Sequence, residues 1–236
     1  MTAGPSELGA TAARISAVGS RLTTAAGLAG VAFAVLFTVS FALLRVGVPP
    51  TEGSAFADWW ALNRERLTAG TYLVPFVGIA FIWFVAAVRQ RIGHGEGLFF
   101  STVFLSSALL FVVTIFVTGA AGGAVLAAVE SLGVRRAAEV AAFSRALGYA
   151  LLFGFAVKMG AMFMLVVASI GRQADAVPRW MILLSTALGV VTLIANSFWD
   201  PIALVFPAWV AVVSLFLIRA SLARRIATAD DGGAAV

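Results

Sequence analysis

Lysine occurs once in this 236-residue sequence, as Lys158. The other basic side chains are arginines, and each lies at the edge of an apolar run or outside one. Lys158 instead stands midway along the apolar run from Ala146 to Gly171. An amine inside a membrane-length helix is costly and needs a partner, internal water or a solute path. In a centred span its Cα lies roughly 15 Å from each hydrocarbon boundary, and the lysine stem recovers only part of that distance by snorkelling. Residues three or four away share its helical face: Gly154, Phe155, Ala161 and Met162. Gly154 and Ala161 either admit a closely packed helix or leave room for water and a ligand. No apolar run holds an acid, so the available partners are neutral: Ser40, Thr114, Thr118, Ser185, Thr186 and the Ala203 carbonyl freed by Pro207.

Lys158, Gly154, Ala161 and Pro207 therefore form the candidate intramembrane site, one that prefers anions. The alternative is a lysine held by hydroxyls and carbonyls, fixing helix register. Asp200 and Asn196 are candidates for an outer mouth, although an aspartate before Pro201 also suits a plain helix cap. His94 lies in a short basic loop and is expected to be solvated.

Other chemistries find no support. There is no cysteine, hence no disulfide or thiolate site, and one histidine cannot make a multi-histidine metal centre. Nucleophile-elbow, zinc-protease and phosphate-loop motifs are missing, and no carboxylate pair lies inside a span. No catalytic residue, metal or cofactor is expected, and the chain is not expected to be an enzyme. The net charge of +5 comes from arginines fringing apolar segments. Orientation and lipid headgroups explain that pattern better than nucleic acid.

The elements that must position the lysine follow from composition. Hydrophobic residues make up 61% and charged residues 11%, against about 25% charged in a soluble domain. The fold class is all-α and polytopic, with spans at about 22–44, 67–88, 99–126, 146–171, 180–199 and 201–218. These form six transmembrane helices in three antiparallel hairpins. Residues 1–20 read as an N-terminal tail and 220–236 as a largely disordered C-terminal tail. The third run is too long for one span and too short for two, so a protruding helix loosened at Gly119–Gly123 is expected. Between Ser54 and Ala69, Phe56, Trp59, Trp60 and Leu67 share a helical stripe. That predicts one further helix at the outer surface, lying in the membrane interface or packed over the bundle as a lid. Gly133 to Ala146 extends the fourth helix outward. More arginines fall on the face of the N-terminus than on the other, which predicts both termini in the cytoplasm of a plasma-membrane protein.

Pro178-Arg179-Trp180, Phe206-Pro207-Ala208-Trp209-Val210 and Phe81-Ile82-Trp83-Phe84 give the chain a family likeness. It resembles uncharacterised six-span membrane proteins of high-GC actinobacteria. The likeness implies a membrane fold and no particular activity. Two functions are therefore expected from the residues alone. One is a small channel-like or transporter-like protein for a small anionic or polar solute, centred on Lys158. The other is a non-catalytic accessory or scaffold protein, whose partner besides the lipid bilayer is a membrane-protein helix or a second copy of itself.

Overall fold

Uncharged runs of this length have one low-energy option in a bilayer, because only a helix satisfies every backbone group internally. The computed structural model describes residues 27–45, 48–92, 98–173, 177–195 and 201–233, and these contain helices and no strand. In chain order the helices are α1 (Gly27–Leu44), α2 (Gly53–Ile92), α3 (Leu98–Leu132) and α4 (Ala137–Tyr149). A π-helical segment, Ala150–Ala156, leads from α4 into α5 (Val157–Gln173), then α6 (Arg179–Ile194) and α7 (Ile202–Gly233). Five stretches are long and apolar enough to cross a membrane: Gly27–Leu44, Ser54–Gln90, Leu98–Leu132, Ala137–Gln173 and Ile202–Ala223. By length and hydropathy the chain is an integral membrane protein.

Several elements differ from the sequence expectation. Residues 54–69 do not form a helix of their own. They are the first turns of α2, which continues for 40 residues and passes Pro75 without a break. α3 is one uninterrupted helix of 35 residues, not loosened at its glycines. The fourth apolar helix begins at Ala137 and runs 37 residues to Gln173, so the extension before Ala146 is present. The fifth apolar segment stops at Ile194, short of Trp199, and leaves α6 with 16 residues. α7 continues to Gly233 through an alanine- and arginine-rich stretch of good helix formers, past the expected onset of disorder. The tail at 1–20 lies outside the described residues, as do His94, Asn196 and Asp200.

Lipid is as apolar as leucine, so close packing rather than burial from water holds such helices together. The main core is aromatic. Phe33, Phe81, Phe111, Phe163, Phe206 and Trp209 are buried together at the crossing of α1, α2, α3, α5 and α7. Their ring centroids stand 4.8 Å (Phe111–Phe206) to 6.1 Å (Phe163–Trp209) apart, mostly tilted or edge-on. Each such pair contributes about 0.5–1.5 kcal/mol beyond the area it covers. Glycines supply the close approaches. A Cβ on Gly160 would stand 2.9 Å from the Phe206 ring, and one on Gly119 would stand 2.7 Å from Val74. Two buried polar links add direction: Ser40 Oγ donates to the Gly70 carbonyl (2.9 Å), and Trp209 Nε1 donates to Ser185 Oγ (2.8 Å).

A second, smaller core closes the end where α2 begins, α3 finishes and α4 begins. Phe56 is buried there against Val125 and Ala128 of α3 and Ala137, Ala138 and Ala141 of α4, with Trp59 and Trp60 packed alongside. The aromatic stripe of residues 54–69 therefore lies on protein. Gly133, at φ +80°, makes the turn that brings α3 and α4 together there.

Candidate functional site

Lys158 lies in the second position of α5. Its Nζ donates to the carbonyls of Leu193 (2.9 Å), Thr192 (3.4 Å) and Ala195. These are the last carbonyls of α6, which have no partner within their own helix. A lysine reaching the C-terminal carbonyls satisfies them and meets the negative end of the helix dipole. Three acceptors match the three N–H groups of an ammonium. α6 stops where it does because an amine on the neighbouring helix takes its carbonyls. Ala195 then leaves the helix at ψ 116°.

The same contact changes the lysine's position in the bundle. α5 packs closely on α6, with Ala161 beside Gly189 and Gly171 beside Val177. The pair carries Arg172 and Arg179 at one end and Lys158 at the other, roughly 21 Å along α5. Lys158 thus stands at the end of the α5–α6 pair while lying inside the continuous apolar helix Ala137–Gln173.

The structure separates the remaining intramembrane candidates. Ala161 is fully buried against α6, so it serves close approach rather than an open groove. Gly154 is exposed, with open space where a Cβ would stand. Pro207 is buried in the aromatic core. Ser40, Thr114, Thr118 and Ser185 donate to the carbonyls of Gly70, Leu110, Thr114 and Met181, so none of these hydroxyls donates to another group beside the lysine.

Where the two cores meet, their side chains do not fill the space. A partly open cavity of about 140 Å³ lies between α1, α2, α3 and α4. Its floor is apolar: Phe37, Val74, Val77, Ile115 and Leu152. Small residues make the room, with Gly119 and Gly122 on α3 and Ala141 and Gly148 on α4. At Gly148 even an added Cβ would find its nearest neighbour, Thr118, at an ordinary 3.7 Å.

The polar part of the wall is concentrated. Arg45, at the end of α1, stands with its guanidinium carbon 5.8 Å from the centre of the Phe41 ring. Arg145, on α4, stands 4.6 Å from the centre of the Tyr149 ring, one turn on. Ser144 lines the wall beside them. Trp59, also in the wall, carries a buried indole N–H with no acceptor, and Thr71 of the same helix has a buried hydroxyl with no partner. Among the described residues, two guanidinium groups and no carboxylate line the cavity.

The sequence contained these residues but gave them other work. Arg45 and Arg145 served only to orient the chain, and Trp59 only as part of the apolar stripe of the expected outer helix. The available signals were two spacings of four, Phe41 to Arg45 and Arg145 to Tyr149, each placing a cation on an aromatic face one turn away. Among the described residues no group of histidines and carboxylates could hold a metal ion. No known protein family, curated protein or solved structure matches the chain.

Proposed function

We propose that this chain is a non-catalytic membrane protein that holds an amphiphile in the cavity between α1, α2, α3 and α4. It crosses the plasma membrane six times with both termini in the cytoplasm, which puts the cavity on the outer side. α6 is the fifth of these spans, and α2 and α4 extend beyond the bilayer to form the outer core. The observation that carries the reading is a cavity with an apolar floor, a polar wall and walls of glycine and alanine. Its size supports an amphiphile over a soluble solute. An apolar cavity of about 150 Å³ holds one benzene, whereas sites that enclose a whole small molecule measure about 300–1,000 Å³. A ligand seated here keeps most of its body outside, which suits a molecule whose chain remains in lipid.

The test is saturable binding. Purified protein in nanodiscs of neutral lipid should bind a bromine-labelled alkyl probe, read as quenching of Trp59, with saturation at low probe concentration. Gly148→Leu should fill the cavity and abolish the saturable part while the protein keeps its fold. Quenching that rises linearly with probe in both proteins would overturn the reading.

A second reading keeps a small anionic or polar solute moving past Lys158, with Asp200 and Asn196 at its mouth. The open side of Gly154, one turn from the lysine, favours it. Unchanged solute flux in liposomes bearing a folded Lys158→Met variant would remove it.

A further inference from the structure

The polar wall of the cavity has a definite charge and geometry. Arg145 and Arg45 come from different helices, and each is braced by an aromatic ring four residues away. For Arg145, stacking on the ring face fixes the guanidinium plane and turns its edge of N–H donors toward a ligand. Arg145 is only partly exposed, and its neighbours in the wall, Ser144 and Tyr149, carry hydroxyls. Trp59 adds a buried donor with no acceptor. Among the described residues, nothing in the wall offers a negative group. A surface that supplies donors and positive charge next to an apolar floor, with reduced water access, selects an oxygen-rich anion attached to an apolar chain.

We propose that the ligand of this cavity is an anionic amphiphile, its carboxylate or phosphate held by Arg145 and the start of its chain lying against Phe37, Val74 and Ile115. The inference rests on the cavity being a ligand site, as proposed above. It adds the sign and chemistry of the head. Arg145 is the principal contact, because it is the more enclosed of the two guanidinium groups. Free fatty acids and anionic phospholipids share this head chemistry and differ in chain number.

The experiment uses the full chain in phosphatidylcholine nanodiscs and four bromine-labelled probes of equal chain length: an alkyl carboxylate, alkyl phosphate, alcohol and trimethylammonium. Saturable tryptophan quenching reports binding, and Trp59→Phe shows how much of it arises at the cavity. The carboxylate and phosphate should bind roughly tenfold or more tightly than the alcohol, the ratio that one charge-assisted hydrogen bond supplies. The ammonium should bind more weakly still. Arg145→Gln should bring the carboxylate to the level of the alcohol and leave the alcohol unchanged. That split separates loss of head recognition from loss of the cavity.

Equal affinity for alcohol and carboxylate, with no effect of Arg145→Gln, would overturn the anionic head and leave the amphiphile site standing. Failure of all four probes to saturate would overturn both. Competition then identifies the source. Displacement of the bound carboxylate by phosphatidylglycerol in the disc marks a two-chain lipid as the occupant. Displacement only by added unlabelled fatty acid marks a single-chain one. An affinity order with the ammonium first would contradict the proposal outright.

Discussion

In the main core, Phe33, Phe81, Phe111, Phe163, Phe206 and Trp209 interlock so closely that glycine is needed where a helix meets a ring. In the core at the α4 end, one phenylalanine is surrounded mainly by alanine and valine, and a Cβ on the nearby Gly123 or Gly148 would meet only ordinary contact at 3.7 Å. Both are apolar and lie on the same continuous helices, so composition does not distinguish them. Side-chain volume does. Rings from several helices fill the first, whereas methyl groups from α3 and α4 cannot reach far enough to fill the second. The cavity is the gap left at their junction. One region is closely filled, and the other leaves room at its edge, where Arg145 lines the cavity.

The sharpest way to break this contrast is to cut into the rings. Phe206→Ala removes a side chain that touches five other rings and should cost about 3–5 kcal/mol. In detergent it should give the largest fall in melting temperature of any single variant here. A drop of less than a third of that would mean the cluster relaxes freely and is not the rigid part of the molecule.

Lys158→Met comes next. It leaves the carbonyls at the end of α6 without their donor, at about 1–3 kcal/mol. Amide exchange near Val191 to Ala195 should accelerate while exchange in the aromatic core holds. Uniform acceleration across both would show that α6 does not fray independently.

The glycines then test the two regions directly. Gly160→Ala places a Cβ 2.9 Å from the Phe206 ring and should destabilise by about 1–3 kcal/mol through overpacking. Gly148→Ala meets ordinary contact at 3.7 Å and should instead stabilise slightly, by about 0.5–1 kcal/mol, as alanine does in a helix. Paired thermal melts decide the matter. The same sign for both would erase the distinction between a filled core and an open one.

The apolar runs were legible in the sequence because a bilayer forces each one into a helix. Their ends were less so. α2 absorbs residues 54–69 because nothing between them and the span breaks the helix, and their stripe finds α3 and α4 to pack against. The end of α6 could not be read locally: no glycine or proline marks it at Ile194, and the group that stops it lies some 35 residues earlier, on α5. Lys158 was conspicuous from the start, but its role depended on where α6 stopped. The cavity was invisible for a related reason. Its lining comes from four helices, and its existence depends on volumes that fail to add up between them. Arg45 and Arg145 were in plain view and served only as topology markers, because their partners across the cavity lie about 100 residues apart.

The short α6 has a mechanical consequence for the surroundings. Sixteen residues rise about 24 Å, against a hydrocarbon thickness of about 30 Å. On the six-span reading proposed above, lipids bordering α6 and Lys158 must compress to cover the pair, while those beside the longer α3 have no such demand. On that reading the molecule dents its membrane on one flank. Thinner bilayers relieve that deformation, so the protein should partition toward them, with its dented flank to the thinnest lipid.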